Sequence, residues 1–122
     1  MDVTIVVPLY NEEESLDALY EEVRAAADRL GRSWELLLVD DGSTDGTAER
    51  LRAICARDSR VRGLRFRCNY GQTAALQAGF DHAEGRVVIT LDGDLQNDPN
   101  DFGLLLDTLD QPVGGQRGDA AP

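Results

Sequence analysis

Val87-Val-Ile-Thr-Leu-Asp92-Gly-Asp94-Leu-Gln96-Asn-Asp-Pro99 is the stretch that decides the fold. Val87 to Leu91 form a continuous apolar run, as expected of a strand covered on both faces. The run breaks off in two carboxylates separated only by Gly93. Residues two apart on a strand point to the same side, and Gly93 has no Cβ to keep a ligand or ion from the backbone. Two converging carboxylates at the end of a buried strand repel each other unless a cation lies between them. Oxygen ligands of this kind suit Mg2+ or Mn2+, which leave positions open for a substrate phosphate. The plainer alternative is a solvated acidic turn, since Asp-Gly is common in turns.

Outward from this stretch, the same pattern recurs three times. Val3 to Val7 is a β-branched run that reads as a buried strand, closed by Pro8. Asn11 is placed to cap a helix, with Glu14 completing a capping box. Leu16, Leu19, Tyr20, Val23, Ala27 and Leu30 follow at helical spacing, and Gly31 stops the helix. Trp34 to Val39 is a second apolar strand, interrupted only by Glu35, and a helix from near Asp45 to Arg57 buries Ala48, Leu51, Ile54 and Cys55. Val61 to Phe66 is a third strand, placed near an edge because Arg62, Arg65 and Arg67 punctuate it. A third helix carries Ala75, Leu76, Gly79, Phe80 and Ala83 on one face and ends at Gly85. After Pro99 a short helix is expected through Phe102, Leu105, Leu106 and Leu109, followed by a tail from Gln111 to Pro122. Alternating strands and helices predict an α/β fold, a mainly parallel sheet flanked by helices with right-handed crossovers.

The two kinds of connection differ in chemistry. The helix-to-strand turns are plain: Gly31-Arg-Ser33, Asp58-Ser-Arg60 and Glu84-Gly-Arg86. The strand-to-helix turns are rich: Tyr10-Asn11-Glu12, Asp40-Asp41-Gly42-Ser43, Asn69-Tyr70-Gly71-Gln72 and Asp92-Gly93-Asp94-Leu95-Gln96. In an open parallel sheet the latter lie along one edge, where ligands bind. Turn chemistry by itself accounts for Asn11, Ser43 and Gly71. It accounts less well for Tyr10, for Asp40 beside Asp41, and for Gln96.

Composition narrows the ligand. The 122 residues carry a formal net charge of −11, and all twelve cations are arginine. A chain this acidic repels nucleic acid, and it repels an anionic small substrate too unless a metal or a local arginine bridges the charge. No Gly-x-Gly-x-x-Gly follows the first strand, and a lysine-dependent phosphate loop is impossible without lysine. An acidic residue ending the second strand is nonetheless a way to hold a ribose or a base edge. His82 sits on a helix and reads as a surface or packing residue. Cys55 and Cys68 lack metal-ligand spacing and read as buried or semi-buried free thiols in a reducing compartment. No secretory leader and no bilayer-spanning apolar run is evident.

Four ordered motifs carry a family resemblance: Val6-Val7-Pro8-Leu9-Tyr10-Asn11-Glu12; Val39-Asp40-Asp41-Gly42-Ser43-Thr44-Asp45-Gly46-Thr47; Asn69-Tyr70-Gly71-Gln72-Thr73-Ala74-Ala75 through Gly79-Phe80-Asp81-His82-Ala83; and Asp92-Gly93-Asp94-Leu95-Gln96. Together they resemble family 2 glycosyltransferases, and within them the polyprenyl-phosphate (dolichyl- or undecaprenyl-phosphate) sugar transferase branch. The resemblance implies the glycosyltransferase A fold, a Rossmann-like nucleotide-binding half. It implies that Pro8, Tyr10, Glu12, Asp40 or Asp41, and Asp92 line the nucleotide pocket, with Arg117 near the phosphates. It implies that Asp92, Asp94 and Gln96 hold Mg2+ or Mn2+, and that Asp92 and Asp94 serve the catalytic step. The implied reaction is an inverting transfer from a nucleotide diphosphate sugar donor to a polyprenyl phosphate acceptor, at the cytoplasmic face of a membrane. Members of the branch continue well past the metal motif, so residues 1–122 read as one truncated nucleotide-sugar-binding domain, with membrane association supplied by a further C-terminal part. The alternatives are a nucleotide-sugar-binding module without turnover, a family 2 enzyme with a polysaccharide or other alcohol acceptor, and a nucleotidyltransferase.

Overall fold

Four of the apolar runs pair side by side in a computed structural model that describes residues 1–91. The strands are β1 (Val3–Leu9), β2 (Trp34–Asp40), β3 (Val61–Arg65) and β4 (Val87–Thr90), and the helices between them are α1 (Leu16–Asp28), α2 (Thr47–Arg57) and α3 (Gln72–His82). All three strand pairings are parallel, in the order β3-β2-β1-β4. The helix expected after Pro99 and the tail fall outside the described residues.

The two middle strands are those with the least polar sequence. Every residue of β2 is buried, and in β1 only Pro8 is partly exposed. Alternation along them feeds two separate layers. Ile5, Val7, Leu9, Leu36 and Leu38 pack with Leu16, Leu19 and Val23 of α1 and with Leu51 and Ile54 of α2. Val6, Leu37 and Val39 face the other way and pack with Ala75 of α3. The split follows from the connections. The chain steps from β1 to β2 to β3 with α1 and α2 on one face, then returns across the sheet to β4. A right-handed crossover in that reversed direction places α3 on the opposite face. The switch point lies between β1 and β4, and beyond the carboxyl ends of such strands open α/β sheets bind ligands.

Three expectations need correction. Phe80 was assigned to the buried face of α3 but is 46% exposed. The helix meets the sheet on small residues, so closely that a Cβ on Gly79 would lie 2.3 Å from Val6 Cγ1, and the neighbouring position turns about 100° away. β4 was expected to be covered on both faces. Among the described residues it pairs only with β1, with Val87 and Val88 half-buried and Thr90 exposed. Cys68 was expected to be at least semi-buried but is exposed, whereas Cys55 is half-buried. β3 does lie at an edge, as its arginines required.

Glu35, the one interruption in the β2 run, sits opposite Thr4 in the β1–β2 register. The Thr4 hydroxyl donates to Glu35 Oε2 at 2.6 Å, the Glu84 backbone N–H donates to the same oxygen at 2.8 Å, and Arg62 Nε donates to Oε1 at 3.0 Å. Burial pushes this carboxyl up, but these donors outweigh it and hold it below the ordinary carboxylate range. The Gly85 N–H in turn donates to Thr4 Oγ1 at 2.8 Å, so one buried polar group ties the α3–β4 turn to the sheet.

Candidate nucleotide-binding edge

The turns leaving the carboxyl ends of β1, β2 and β3 are joined into one hydrogen-bonded unit. Asn11 adopts φ +54, a left-handed conformation that Asn tolerates better than most residues. That bend lets its N–H donate to Ser43 Oγ at 2.8 Å while its Oδ1 accepts from the Thr44 N–H at 2.8 Å. The Glu12 N–H donates to Thr47 Oγ1 at 2.9 Å, and Glu13 Oε1 accepts from the Gly46 N–H at 3.0 Å, at the start of α2. This overturns the expected capping box. Helix α1 begins at Leu16 after Ser15, with no side-chain cap, because Asn11 is committed to the next turn rather than to its own helix.

Asp41 makes the second junction. The Tyr70 N–H donates to Oδ1 at 2.8 Å, the Gly71 N–H to Oδ2 at 3.0 Å, and Asn69 Nδ2 to Oδ2 at 3.2 Å. The Asp41 N–H itself donates to the Leu9 carbonyl at 2.8 Å. Gly42 is indispensable to this contact. Its φ is +74, and a Cβ there would lie 2.2 Å from the Cys68 carbonyl carbon. Only glycine accepts both that dihedral and that approach.

The structure brings five of the expected residues to this edge. Pro8 lies in the last turn of pleat of β1 and is half-buried, Tyr10 just beyond is 45% exposed, and Glu12 is half-buried. Asp40 and Asp41 end β2 and are both buried. Asp40 Oδ1 accepts from the Ser43 N–H at 3.0 Å, while Oδ2 is buried without a hydrogen-bond partner among the described residues. A buried acceptor without a partner is uncommon. Asp92, Asp94, Gln96 and Arg117 lie outside the described residues. The description reaches Leu91, whose N–H donates to the Val6 carbonyl at 3.0 Å, so the end of β4 lies beside β1 at the switch point. Among the described residues no three His, Cys, Asp or Glu side chains form a group that could hold a metal.

Asn69-Tyr70-Gly71 was expected as a turn on the ligand-binding edge, with no residue of it given a role of its own. Its connection to Asp41 joins residues 28 to 30 positions apart, and no local pattern announces such a pairing. The part of Asn11 was equally hidden, although an Asn shortly after a strand tolerates a left-handed bend.

Comparison with known proteins bears on the family and the fold. Residues 4–117 match the profile of Glycosyl transferase family 2. An undecaprenyl-phosphate 4-deoxy-4-formamido-L-arabinose transferase of Salmonella paratyphi A is 46% identical over 110 residues, covering 89% of this chain and 34% of that protein. A dodecaprenyl-phosphate galacturonate synthase of Rhizobium johnstonii is 46% identical over 112 residues, covering 91% of this chain and 33% of that protein. The chain thus spans about a third of the length of the curated relatives it matches. Among solved structures, the mannosyltransferase PcManGT of Pyrobaculum calidifontis, in complex with GDP-Man and Mn2+, superposes with a TM-score of 0.64 at 28% identity, covering 90% of this chain and 32% of that one. TarS of S. aureus, in complex with UDP-GlcNAc, gives a TM-score of 0.64 at 26% identity, covering 77% of this chain and 27% of that one. The parallel sheet with its helices is that of the glycosyltransferase A fold, and the chain belongs to glycosyl transferase family 2.

Proposed function

We propose that this chain is the donor-binding part of an inverting, metal-dependent glycosyltransferase that moves a sugar from a nucleotide diphosphate sugar to a polyprenyl phosphate. The observation that carries the reading is the 46% identity to two polyprenyl-phosphate sugar transferases over about nine-tenths of the chain. The edge geometry supports it, since the three joined turns present Tyr10, Asp40 and Asp41 around the end of β2. In this reading Pro8, Tyr10, Glu12, Asp40 and Asp41 bind the nucleoside, and Arg117 approaches the diphosphate.

Two carboxylates and an amide oxygen, from Asp92, Asp94 and Gln96, form an all-oxygen donor set that fits Mg2+ or Mn2+. In sequence they follow directly on β4, which lies beside β1 at the switch point, and on the same edge Asp40 Oδ2 is buried without a hydrogen-bond partner among the described residues. When bound, such an ion neutralises the charge on a leaving diphosphate. The chain's own residues hold the donor in place so that an acceptor phosphate oxygen reaches the anomeric carbon from the opposite side. The new carbon–oxygen bond forms as the bond to the nucleoside diphosphate breaks. A phosphate monoester is largely ionised near neutrality, with a second pKa of about 6, and needs no strong general base; an alcohol acceptor would. No helix among the described residues is long and apolar enough to cross a membrane. In this reading the lipid acceptor brings this part to the cytoplasmic face of a membrane.

Transfer of radiolabelled sugar to a polyprenyl phosphate tests the reading. Transfer only to alcohols would overturn the acceptor assignment, and tight donor binding without transfer to any acceptor would assign a binding module instead. Asp94→Asn tests the metal part. Mn2+-dependent affinity for a nucleoside diphosphate is expected to fall at least tenfold, with binding of the bare nucleoside and the melting temperature unchanged. An Asp94 that merely capped a helix would show the reverse, a loss of about 1 kcal/mol of stability with no effect specific to Mn2+.

A further inference from the structure

The arginines of this acidic chain are unevenly matched. Arg24 pairs with Glu21 and Asp28, Arg50 with Asp17, Arg60 with Asp58 and Asp28, and Arg62 with Glu35, all within 3.2 Å. Arg52, Arg65 and Arg67 are exposed and make no ion pair among the described residues. A net charge of −11 supplies carboxylates in excess, so cations left unpaired together form a local positive field for an outside anion.

The fold gathers the three on one flank. Arg50 reaches Asp17 of α1 at 2.8 Å, and Arg52 lies about 200° further round α2, on the side away from α1 and toward β3. Arg65 is the last residue of β3, the edge strand. It shares a strand face with Gly63, which packs under Leu51 of α2. Arg67 follows two residues on. Among the described residues Glu49, three positions before Arg52, forms no ion pair with any of them. Arg57 and Arg86 stand apart, Arg57 against the Tyr20 ring and Arg86 before β4 at the opposite edge. The same end of β3 carries exposed aromatic surface. Tyr70 is 64% exposed, its ring meets Phe66 edge-on with centroids 5.6 Å apart, and Asp41 fixes its turn through the Tyr70 N–H at 2.8 Å.

Guanidinium groups beside a firmly placed tyrosine suit the headgroup level of a bilayer, where phosphates meet the charge and the amphipathic ring meets the boundary. The net negative charge does not forbid such contact. Charges more than about 8 Å away are largely screened at physiological salt, so the flank's own charges decide it.

We infer that the β3 flank, through Arg52, Arg65, Arg67 and Tyr70, is a docking surface for the anionic phospholipid headgroups of a membrane. The inference rests on the lipid-acceptor reading above for its choice of a membrane over an acidic protein. It goes beyond that reading, because it gives this part of the chain a membrane contact of its own. Arg65 and Arg67 lie at the carboxyl end of β3, so the contact holds the donor edge close to the lipid surface.

The test is sedimentation of this chain with vesicles of phosphatidylcholine and phosphatidylglycerol mixed two to one, and of phosphatidylcholine alone. The wild type is expected to bind the mixed vesicles, more weakly as salt rises, and not the neutral ones. An arginine near an anionic surface contributes about fivefold in affinity, so Arg65→Gln with Arg67→Gln should bind about 25-fold more weakly. Arg50→Gln removes the same kind of charge from the other side of α2 and should bind as wild type does. Melting curves report that each variant is folded. Tyr70→Trp should move its fluorescence to the blue with the mixed vesicles only; Trp34 is buried, so the change reports position 70. No binding by the wild type, no blue shift, or an equal loss in Arg50→Gln would each overturn the inference. Binding of polyglutamate but not of vesicles would assign the flank to an acidic protein and overturn it too. Vesicle binding needs neither donor nor acceptor, so its failure is distinct from a failure of sugar transfer to polyprenyl phosphate, which would overturn the reading of function.

Discussion

The two ends of the sheet use carboxylates in opposite ways. At the end where the strands begin, carboxylates are matched with guanidinium groups. Asp58 accepts from Arg60 Nε at 3.0 Å and from the Tyr20 hydroxyl at 2.6 Å, and Asp28 takes Arg60 NH1 at 2.8 Å and the Trp34 indole N–H at 3.1 Å. The Arg60 guanidinium also lies 4.1 Å from the Trp34 ring centre. At the end where the strands finish, Asp40, Asp41, Asp45 and Glu13 accept from backbone N–H groups and hydroxyls instead. The first arrangement cancels charge and gives rigidity. The second fixes the shape of three turns while leaving their negative charge in place, for a cation or a ligand donor to meet. Charge is thus cancelled at one edge of the sheet and retained at the other.

Gly42→Ala attacks the finishing end most severely. The added methyl meets the Cys68 backbone and the residue is forced to a positive φ, so a loss of about 3 kcal/mol or more is expected in a denaturant titration. A loss under about 1 kcal/mol would show that the β2–α2 and β3–α3 turns separate easily, and the contrast between the two ends would lose its basis.

Asp58→Asn is the counterpart at the starting end. Losing the charge and one of the two guanidinium contacts of a buried carboxylate is expected to cost about 2 kcal/mol, with nucleotide binding untouched. The pH dependence sharpens this. Hydrogen bonds from Arg60 outweigh burial and, with the Tyr20 hydroxyl, hold the Asp58 carboxyl far below the ordinary range. Its contribution is complete above the unfolded value of about 3.9 and disappears as pH falls through the lowered native value. Burial, then the bond to Asp58, pushes the Tyr20 phenol up to about 12. Its contribution is complete below the unfolded value of about 10 and is lost as pH rises toward the native one. Melting temperatures from pH 2 to 12 should decline at both extremes in the wild type, and both declines should flatten in Asp58→Asn.

Asp41→Asn has the smallest expected effect on stability, about 1 kcal/mol, because one amide oxygen still accepts from the turn while the other site now faces an N–H with an NH2 group. Its signature is functional: nucleoside diphosphate affinity should fall tenfold or more. Equal losses of binding in Asp41→Asn and Asp58→Asn would erase the division between the two ends.

Local sequence was sufficient for the strands and helices of residues 1–91 and for the composition of the carboxyl edge. Within residues 1–91 the β-branched and leucine runs are strands and the 3.6-residue patterns helices, and Asp, Asn, Gly and Tyr collect after the strands. These properties depend on residues a few positions apart, and periodicity records them. The outward turn of Phe80, the attachment of Asn11 to Ser43 and Thr44, and the hold of Asp41 on Asn69, Tyr70 and Gly71 had no such record. Each depends on which strand lies beside which. That order follows from where the chain reverses across the sheet, and the reversal brings together side chains about 30 residues apart whose partners no local pattern can name.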